Sequence, residues 1–204
     1  MTRTDITLVK QHFVGKDPKV AAILATVDLS DWFEERVPED HFFNLSREII
    51  YQQLAGKAAS AIFSRFEKLV GGKVKPDKVI KIPDQTLRDV GLSWAKARYV
   101  KDLAAKALSG EVALTNLHEL DDEAVIAELT KVKGIGRWTA EMFLLFGLKR
   151  LDVLAVGDAG LQRAARNLYG KKRKSETLLP RVAENWRPYR SIASWYLWRS
   201  LESS

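Results

Sequence analysis

The sequence predicts an all-α fold, and three observations support this prediction. Apolar residues recur three and four positions apart in nearly every segment, as they do on the buried face of an amphipathic helix. Capping residues and glycines stand where such segments would begin and end. The alternation typical of a half-buried strand is scarce, and only Val153–Val156 has an extended pattern. Helices packed on helices are therefore the expected architecture.

Helix boundaries in the first half of the chain follow from proline, glycine and capping residues. Asp17 followed by Pro18 begins a helix, because aspartate caps the unpaired amides and proline suits the first turn. A second helix precedes Gln53–Gly56, where the apolar pattern is interrupted. A third helix runs from Lys57 to the glycine pair Gly71–Gly72.

The later helices are delimited in the same way. A short helix covers Pro83–Val90, and Gly91–Ser93 caps a long helix that ends at Gly110. Asp121 or Asp122 caps the next helix. The remaining expected helices cover Arg137–Gly147, Ala159–Tyr169, Ser175–Asn185 and Tyr189–Leu201. The basic run Lys171–Lys174 is expected to form a solvated loop.

Composition excludes several kinds of site. The 204-residue chain has no cysteine, so disulfides, iron–sulfur clusters and thiolate zinc sites are excluded. Its three histidines, His12, His41 and His118, are too far apart in sequence to form a ligand spacing. A net charge of +7 favours a polyanionic partner, although a mild excess of Lys and Arg also occurs on surfaces that bind nothing.

No apolar run in the sequence approaches the length of a membrane span, so no membrane association is expected. The first ten residues lack the apolar block of a signal peptide. The simplest expectation is an intracellular, soluble protein. It would lie in the cytoplasm or nucleoid of a bacterium or archaeon, or in the nucleus of a eukaryote.

The most informative stretch is Leu129–Gly160, in which a glycine-rich turn joins two helices. Gly134 and Gly136 flank one apolar residue, so consecutive backbone amides can converge on a phosphate that no side chain obstructs. Taken alone, such a turn more often connects packed helices without binding anything. The flanking residues favour contact with a DNA backbone, which fixes position without reading sequence. These residues are Lys131, Lys133, Arg137 and Thr139. Residues 131–138 are called the hairpin below.

Two motifs in this stretch carry a family resemblance. Gly134–Ala140, with Asp152 and then Gly157–Asp158 downstream, resembles the helix-hairpin-helix and Gly/Pro-Asp motif of the DNA glycosylase superfamily. Within it, the chain is most similar to the 3-methyladenine DNA glycosylase II family, over roughly Arg47–Leu201. The chain has no room for the amino-terminal β-domain of longer members, so it resembles a short form.

The resemblance implies one glycosylase unit over residues 1–204 with two helical lobes and a substrate cleft between them. A central lobe of about residues 45–155 would bear the hairpin. A second lobe would combine about residues 1–44 with residues 156–204.

Asp158 is the candidate catalytic residue. Taken without the resemblance it is a helix N-cap, since aspartate after glycine is a common choice at a helix start. The resemblance makes it the catalytic carboxylate, and both roles can hold together. Cleavage of an N-glycosidic bond builds positive charge on the sugar, which a carboxylate beside C1′ stabilises. Asp152, the other nearby carboxylate, is interpreted as structural.

Trp138 indicates the type of reaction. Relatives that also cut the strand carry a lysine at this position, and its amine attacks C1′ to form a Schiff base. Tryptophan cannot form that bond, so the resemblance implies a monofunctional enzyme that uses water as nucleophile. Lys131 and Lys133 are expected to face phosphates, and neither is a good substitute for the amine.

Aromatic residues are expected to bind the extruded base, because aromatic faces suit a cationic, flipped purine. The resemblance assigns the base pocket to Trp138, Trp186, Met142 and Phe143. Family members often carry tyrosine where this chain has Met142, which leaves the base preference open. Trp32, Trp94, Trp195 and Trp198 are expected to pack in the core.

The segment before the helix interruption resembles the loop that enters the minor groove. A side chain must fill the hole that an extruded nucleotide leaves in the base stack. By position this side chain is Gln53, with Leu54 as its neighbour or substitute, and Lys57 could meet a phosphate. Without the resemblance, the same residues are a polar pair at a helix end.

The sequence therefore predicts a monofunctional DNA glycosylase that excises alkylated purines from damaged double-stranded DNA as a monomer. The alternatives are a non-catalytic DNA-binding protein and a bifunctional glycosylase with lyase activity. No soluble cofactor is implied. The resemblance suggests a structural Na⁺ or K⁺ ion on the carbonyls of Thr130, Val132 and Ile135.

Overall fold

The structure of the protein is a computed structural model that describes residues 3–26, 40–54, 56–170 and 175–202. These residues form helices joined by turns, with no β-strand among them, so the all-α prediction is confirmed. None of the described helices combines the length and apolar character needed to cross a membrane. Trp32 and the basic run Lys171–Lys174 lie outside the described residues.

The helices of the described residues follow one another along the chain with short connections. In chain order they are α1 (Arg3–Lys16), α2 (Pro18–Ala25), α3 (His41–Tyr51), α4 (Gly56–Leu69), α5 (Pro76–Val79), α6 (Asp84–Asp89), α7 (Trp94–Ser109), α8 (Asp122–Leu129), α9 (Arg137–Met142), α10 (Ala159–Tyr169), α11 (Ser175–Ala183) and α12 (Arg190–Glu202). A π-helical turn, Phe143–Gly147, continues α9, and a 3₁₀ turn, Glu184–Trp186, follows α11.

The chain divides into two compact units. One, the central unit, covers Val37–Leu148. The other, the discontinuous unit, combines Met1–Arg36 with Lys149–Ser204. The sequence placed the same kind of division near residues 45 and 155.

Helix α7 is the longest described helix of the central unit and packs against α3, α5 and α6. Its amino terminus is capped by Ser93, whose Oγ accepts from the amide of Lys96 at 3.2 Å. It ends at Gly110, which has a left-handed φ of 75° that glycine adopts without strain. Its inward face is apolar and consists of Ala97, Val100, Leu103 and Ala104. The sequence predicted these boundaries and an inward face of these four residues with Ala107, which is only half-buried.

Asp17 organises the discontinuous unit. Its Oδ1 caps α2 by accepting from the amides of Lys19 at 3.2 Å and Val20 at 3.3 Å. Its Oδ2 accepts from the hydroxyl of Tyr169 and from the indole Nε1 of Trp186, the latter at 2.9 Å. Burial raises the pKa of Tyr169, and the hydrogen bond to Asp17 raises it further. One buried carboxylate thus ties the start of α2 to the end of α10 and to the 3₁₀ turn.

The structure also differs from the sequence-based boundaries. The helices Arg3–Lys16 and Pro76–Val79 were not predicted. The apolar pattern of the sequence extends the helix before the hairpin to Val132, whereas the helix ends at Leu129. The helix after the hairpin changes to π-helical geometry at Phe143, whose ring lies against Gly147.

The core assignment of the tryptophans is wrong for Trp94, whose surface is 48% exposed under the guanidinium of Arg88. Trp195 and Trp198 are half-buried rather than fully enclosed.

We expect Asp17→Ala to lower the free energy of unfolding by about 3 kcal/mol, because it removes a helix cap and leaves two buried donors without their acceptor. The matched control is Asp121→Ala, since Asp121 caps α8 by accepting from the amide of Ala124 at an exposed position. This control should cost about 1 kcal/mol. Urea titration followed by tryptophan fluorescence measures both. Equal losses would show that the Tyr169 and Trp186 contacts add nothing.

Candidate functional site

The hairpin lies on an aromatic ring of α7. Gly134 has a φ of 83°, a left-handed conformation that other residues adopt only at a cost. A Cβ atom at Gly134 would lie 2.1 Å from Cδ2 of Tyr99, far inside contact distance. Backbone conformation and packing therefore both require glycine at this position.

Some of the other hairpin residues have backbone amides bonded within the protein, and others are exposed on the surface. The amide of Lys133 donates to Oδ2 of Asp102 at 2.8 Å, and the amide of Ile135 donates to the carbonyl of Val132 at 3.1 Å. Ile135 is buried, whereas Gly134 and Gly136 are exposed. A Cβ atom at Gly136 would meet nothing within 4 Å, so this glycine borders open space.

Arg137 is engaged with two carboxylates. Its guanidinium donates to both oxygens of Glu123, at 2.9 and 2.5 Å, and to Oε1 of Glu141 at 3.0 Å. The hydrogen bonds that Arg137 donates to Glu123 are the main reason that the pKa of Arg137 is raised. Arg137 is therefore paired within the protein, and its contact with DNA stays a prediction.

The two hairpin lysines differ in how closely each is paired with a carboxylate. Lys131 is paired with Glu128, with Nζ 2.6 Å from Oε2. Lys133 has a side chain that is 76% exposed, and its Nζ lies 3.9 Å from Oδ1 of Asp102. Lys133 therefore presents the more accessible charge of the two.

A glutamine ties the predicted groove-entering loop to the hairpin. The predicted segment is Ile49–Leu54, and its last three residues, Gln52–Leu54, are called the wedge loop below. The side-chain amide of Gln52 donates to the carbonyl of Gly134 at 2.9 Å and to Oγ1 of Thr139 at 3.2 Å. Thr139 is buried, so its predicted contact with DNA is corrected to a bond with Gln52. Sequence reasoning missed Gln52.

The predicted intercalating residues are exposed. Gln53 has a left-handed φ of 56°, which turns the chain outward, and its side chain is exposed. Leu54 is 38% exposed, and Lys57 is exposed on the first turn of α4. Their placement fits the predicted roles.

Lys96 supports the backbone of the wedge loop. Its Nζ donates to the carbonyls of Ile50 at 2.7 Å and Gln52 at 2.6 Å. The last carbonyls of a helix have no intrahelical partner, and a cation is favourable at that end. Partial burial lowers the pKa of Lys96. Only the tertiary structure shows this contact, because 44 positions separate Lys96 from Gln52.

Asp158 caps α10 and also accepts from an indole. Its Oδ1 lies 2.6 Å from the amide of Leu161 and 2.8 Å from Nε1 of Trp198. A Cβ atom at Gly160 would lie 3.1 Å from Oδ1 of Asp158 and 3.4 Å from the indole of Trp198. The absence of a side chain at Gly160 therefore leaves room for this pair. The sequence predicted the cap but missed Trp198.

The structural interpretation of Asp152 is confirmed. Arg190 donates from Nε to Oδ1 of Asp152 at 2.7 Å, and Arg187 donates to Oδ2 at 3.0 Å. Ser191 adds two bonds, from its Oγ to the carbonyl of Arg150 and from the amide of Val153 to that Oγ. The chain approaching Asp158 is thus fixed to the start of α12.

Three of the four residues assigned to a base pocket are buried. Trp186 lies in the core of the discontinuous unit with its indole bonded to Asp17. Met142 and Phe143 lie in the core of the central unit, where the ring of Phe143 packs edge-on against His41 at 5.6 Å. These three assignments are corrected, because enclosed side chains have no face for a base. Trp138 is 45% exposed, as its assignment requires.

The site has no carboxylate or imidazole cluster suited to a metal. Among the described residues, no three His, Asp or Glu side chains come together in that way. The hairpin offers neutral carbonyl oxygens instead, which is the donor set that alkali-metal ions accept.

A glycine-rich hairpin followed by an aspartate that caps the next helix places the protein among the helix-hairpin-helix proteins. Residues 46–188 match the model of the HhH-GPD superfamily base excision DNA repair protein. The chain belongs to this family.

Known proteins of similar sequence and structure carry related names. The relative YfjP of Bacillus subtilis (strain 168) is 34% identical over 162 residues, which are 76% of this chain and 56% of that protein. The chain thus spans little more than half the length of this curated relative. The crystal structure of a DNA-3-methyladenine glycosidase from Bacillus halodurans is 38% identical with a TM-score of 0.79, covering 94% of this chain and 88% of that one.

A solved complex also resembles the chain. Schizosaccharomyces pombe 3-methyladenine DNA glycosylase (Mag1), in complex with abasic DNA, superposes with a TM-score of 0.82. It is 29% identical, and the match covers 95% of this chain and 96% of that chain.

The two hairpin glycines should respond differently to the same substitution. Gly134→Ala should lower the free energy of unfolding by about 2 kcal/mol or more, because it combines a left-handed φ with a clash against Tyr99. Gly136→Ala should leave the melting temperature unchanged and weaken DNA binding, because the added methyl group faces open space. Thermal melts and fluorescence anisotropy with duplex DNA measure the two effects. A stable Gly134→Ala variant would contradict the packing argument.

Lys133 and Arg137 should differ in the salt dependence of DNA binding. Lys133→Ala should reduce the slope of log K against log salt by about 0.9, the value for one lost phosphate contact. Arg137→Ala should reduce that slope less than Lys133→Ala does, because the guanidinium must leave Glu123 and Glu141 before it can contact a phosphate. Anisotropy titrations between low and moderate salt give both slopes, with the parent protein as control. A larger effect at Arg137 would mean that DNA displaces the two glutamates.

Proposed function

We propose that the protein is a monofunctional DNA glycosylase that excises N3- and N7-alkylated purines from duplex DNA, as the first step of base excision repair. The observation that carries this proposal is the half-buried carboxylate of Asp158, which a helix amide and the indole of Trp198 hold in one orientation. The names of the related proteins support the same substrate class.

The chemistry needs one carboxylate. The bond between C1′ and the base nitrogen breaks, and its electron pair moves to the base, which leaves uncharged because alkylation had made it cationic. The positive charge that develops on the sugar is stabilised by Asp158. Water then adds to C1′, and its proton passes to solvent. The product is an abasic site with both strands intact.

Trp138 supports the monofunctional assignment. An indole has no amine that can attack C1′, so the lyase reaction that begins from a Schiff base is not available at this position. Its exposed ring is suited to stacking on a base.

Trp198 takes the role that sequence reasoning gave to Trp186. Its indole N–H orients Asp158, and its half-buried ring provides a face for a cationic purine. One residue would then serve both the reacting sugar and the leaving base.

Damaged double-stranded DNA is the proposed partner, bound by a monomer. Gly134, Gly136 and Lys133 would hold phosphates at the hairpin, Lys57 would hold another, and Gln53 or Leu54 would fill the space left by the extruded base. We also propose that a Na⁺ or K⁺ ion binds the carbonyls of Thr130, Val132 and Ile135. The carbonyl of Val132 already accepts from Ile135 and retains a second lone pair.

The catalytic assignment is tested by release of free base from methylated duplex DNA, measured by chromatography under single-turnover conditions. Asp158→Asn should slow release at least about a hundredfold. Trp198→Phe keeps the ring and removes the N–H donor, so release should slow about tenfold. Trp195→Phe, the same change on the same helix, is the matched control and should keep the parent rate.

Each remaining outcome has a distinct meaning. Base release that Asp158→Asn does not slow would remove Asp158 from the chemistry. No release by the parent protein, with DNA binding intact, would favour a non-catalytic DNA-binding protein. Strand cleavage without added alkali would contradict the monofunctional assignment.

A further inference from the structure

One face of α7 contacts both the wedge loop and the hairpin. Four side chains on this helix reach these two segments, and their spacings of three and four residues place them on one side of it. They are Lys96, Tyr99, Asp102 and Lys106. All of these contacts lie within the central unit.

The amino-terminal end of this face holds the wedge loop. Lys96 Nζ lies 2.7 Å from the carbonyl of Ile50 and 2.6 Å from that of Gln52. The carbonyl of Tyr51 accepts from the amide of Leu54 at 3.2 Å, which closes the turn. Lys96 therefore donates to one carbonyl just before that turn and to one within it.

The rest of this face holds the hairpin. The ring of Tyr99 lies beneath Gly134, and Asp102 accepts from the amide of Lys133 at 2.8 Å. Lys106 Nζ donates to the carbonyl of Lys131 at 2.7 Å and is balanced by Glu111, also at 2.7 Å. Backbone groups at three hairpin residues thus meet α7 directly.

Gln52 completes a closed set of contacts. Its backbone carbonyl accepts from Lys96, while its side-chain amide donates to the carbonyl of Gly134. The wedge loop is therefore joined to the hairpin twice, directly through Gln52 and indirectly through α7.

We propose that α7 acts as a bracket that keeps the wedge loop and the hairpin at a fixed separation, with Lys96 as the positioning residue for the intercalating side chain. Lys96 and Lys106 are ten positions apart, so the bracket spans about 15 Å of rigid helix. This inference rests on the proposed function, because it gives the wedge loop its role in extruding a base.

The bracket matters because extrusion needs two contacts at once. The hairpin holds the DNA backbone while Gln53 or Leu54 enters the base stack. If the wedge loop became ordered only on binding, its loss of conformational entropy would weaken binding. A loop already fixed by Lys96 avoids that cost. The contribution of Lys96 should therefore be largest when the base to be extruded is firmly stacked and paired.

The test compares two substrates under single-turnover conditions. One duplex carries 7-methylguanine opposite cytosine, and the other carries it opposite thymine, where the weaker pairing makes extrusion easier. Lys96→Met should slow base release from the first duplex between about ten- and a hundredfold, since small misplacements have effects of this size. It should slow release from the second duplex clearly less. Asp158→Asn should slow both equally.

The matched control is Lys101→Met, the same change on the same helix. Lys101 pairs with Asp84 rather than with the wedge loop, at 2.7 Å. This control should keep the parent rate on both duplexes. Thermal melts of every variant establish that the proteins are folded. If Lys96→Met does not fold, Gln52→Leu tests the direct tie between loop and hairpin and should show the same substrate dependence.

A second readout separates this inference from the proposed function. A 2-aminopurine placed beside a 7-methylguanine brightens when its neighbour is extruded, whether or not the base is then released. Lys96→Met should reduce this brightening at saturating protein, and Lys101→Met should not. Equal slowing on both duplexes, or unchanged brightening in a folded Lys96→Met variant, would overturn the bracket. Parent protein that brightens the probe but releases no base would contradict the proposed function alone.

Discussion

The contact between Gly134 and the ring of Tyr99 constrains the central unit, because it brings the hairpin backbone against α7 without an intervening side chain. The bonds from Lys133 to Asp102 and from Lys106 to Lys131 can form only once that approach is made. The two glycines of the motif consequently serve different purposes. Gly134 is required by packing against Tyr99, while Gly136 leaves the outer surface of the hairpin open.

Asp158 is held by its capping bond in the orientation that the proposed chemistry needs. A helix needs an acceptor at its amino terminus, and that bond fixes the carboxylate before any substrate arrives. The indole of Trp198 adds a second restraint, and Gly160 leaves the room that this pair requires. Folding therefore already orients the carboxylate of Asp158, so this group does not have to reorganise during the proposed reaction.

Local signals predicted much of this structure. Asp17, Ser93, Asp121 and Asp158 each act as the cap that the sequence suggested, because a cap bonds to amides two or three positions away. Contacts between distant segments were not predictable in this way. Trp186 bonds to Asp17, 169 positions earlier, and Arg137 pairs with Glu123, 14 positions earlier. Trp198 was missed because nothing in its own neighbourhood indicates a carboxylate 40 positions earlier.

The pairing of Arg137 with two glutamates has a consequence for how the protein would search a genome. An arginine already neutralised releases few counterions when it approaches a phosphate, so undamaged duplex gains little affinity from it. Weak attachment to ordinary sequence shortens each encounter and lets the protein sample many positions. If the protein binds DNA as proposed, the pairing of Arg137 with Glu123 and Glu141 should therefore favour movement along undamaged duplex over tight attachment to it.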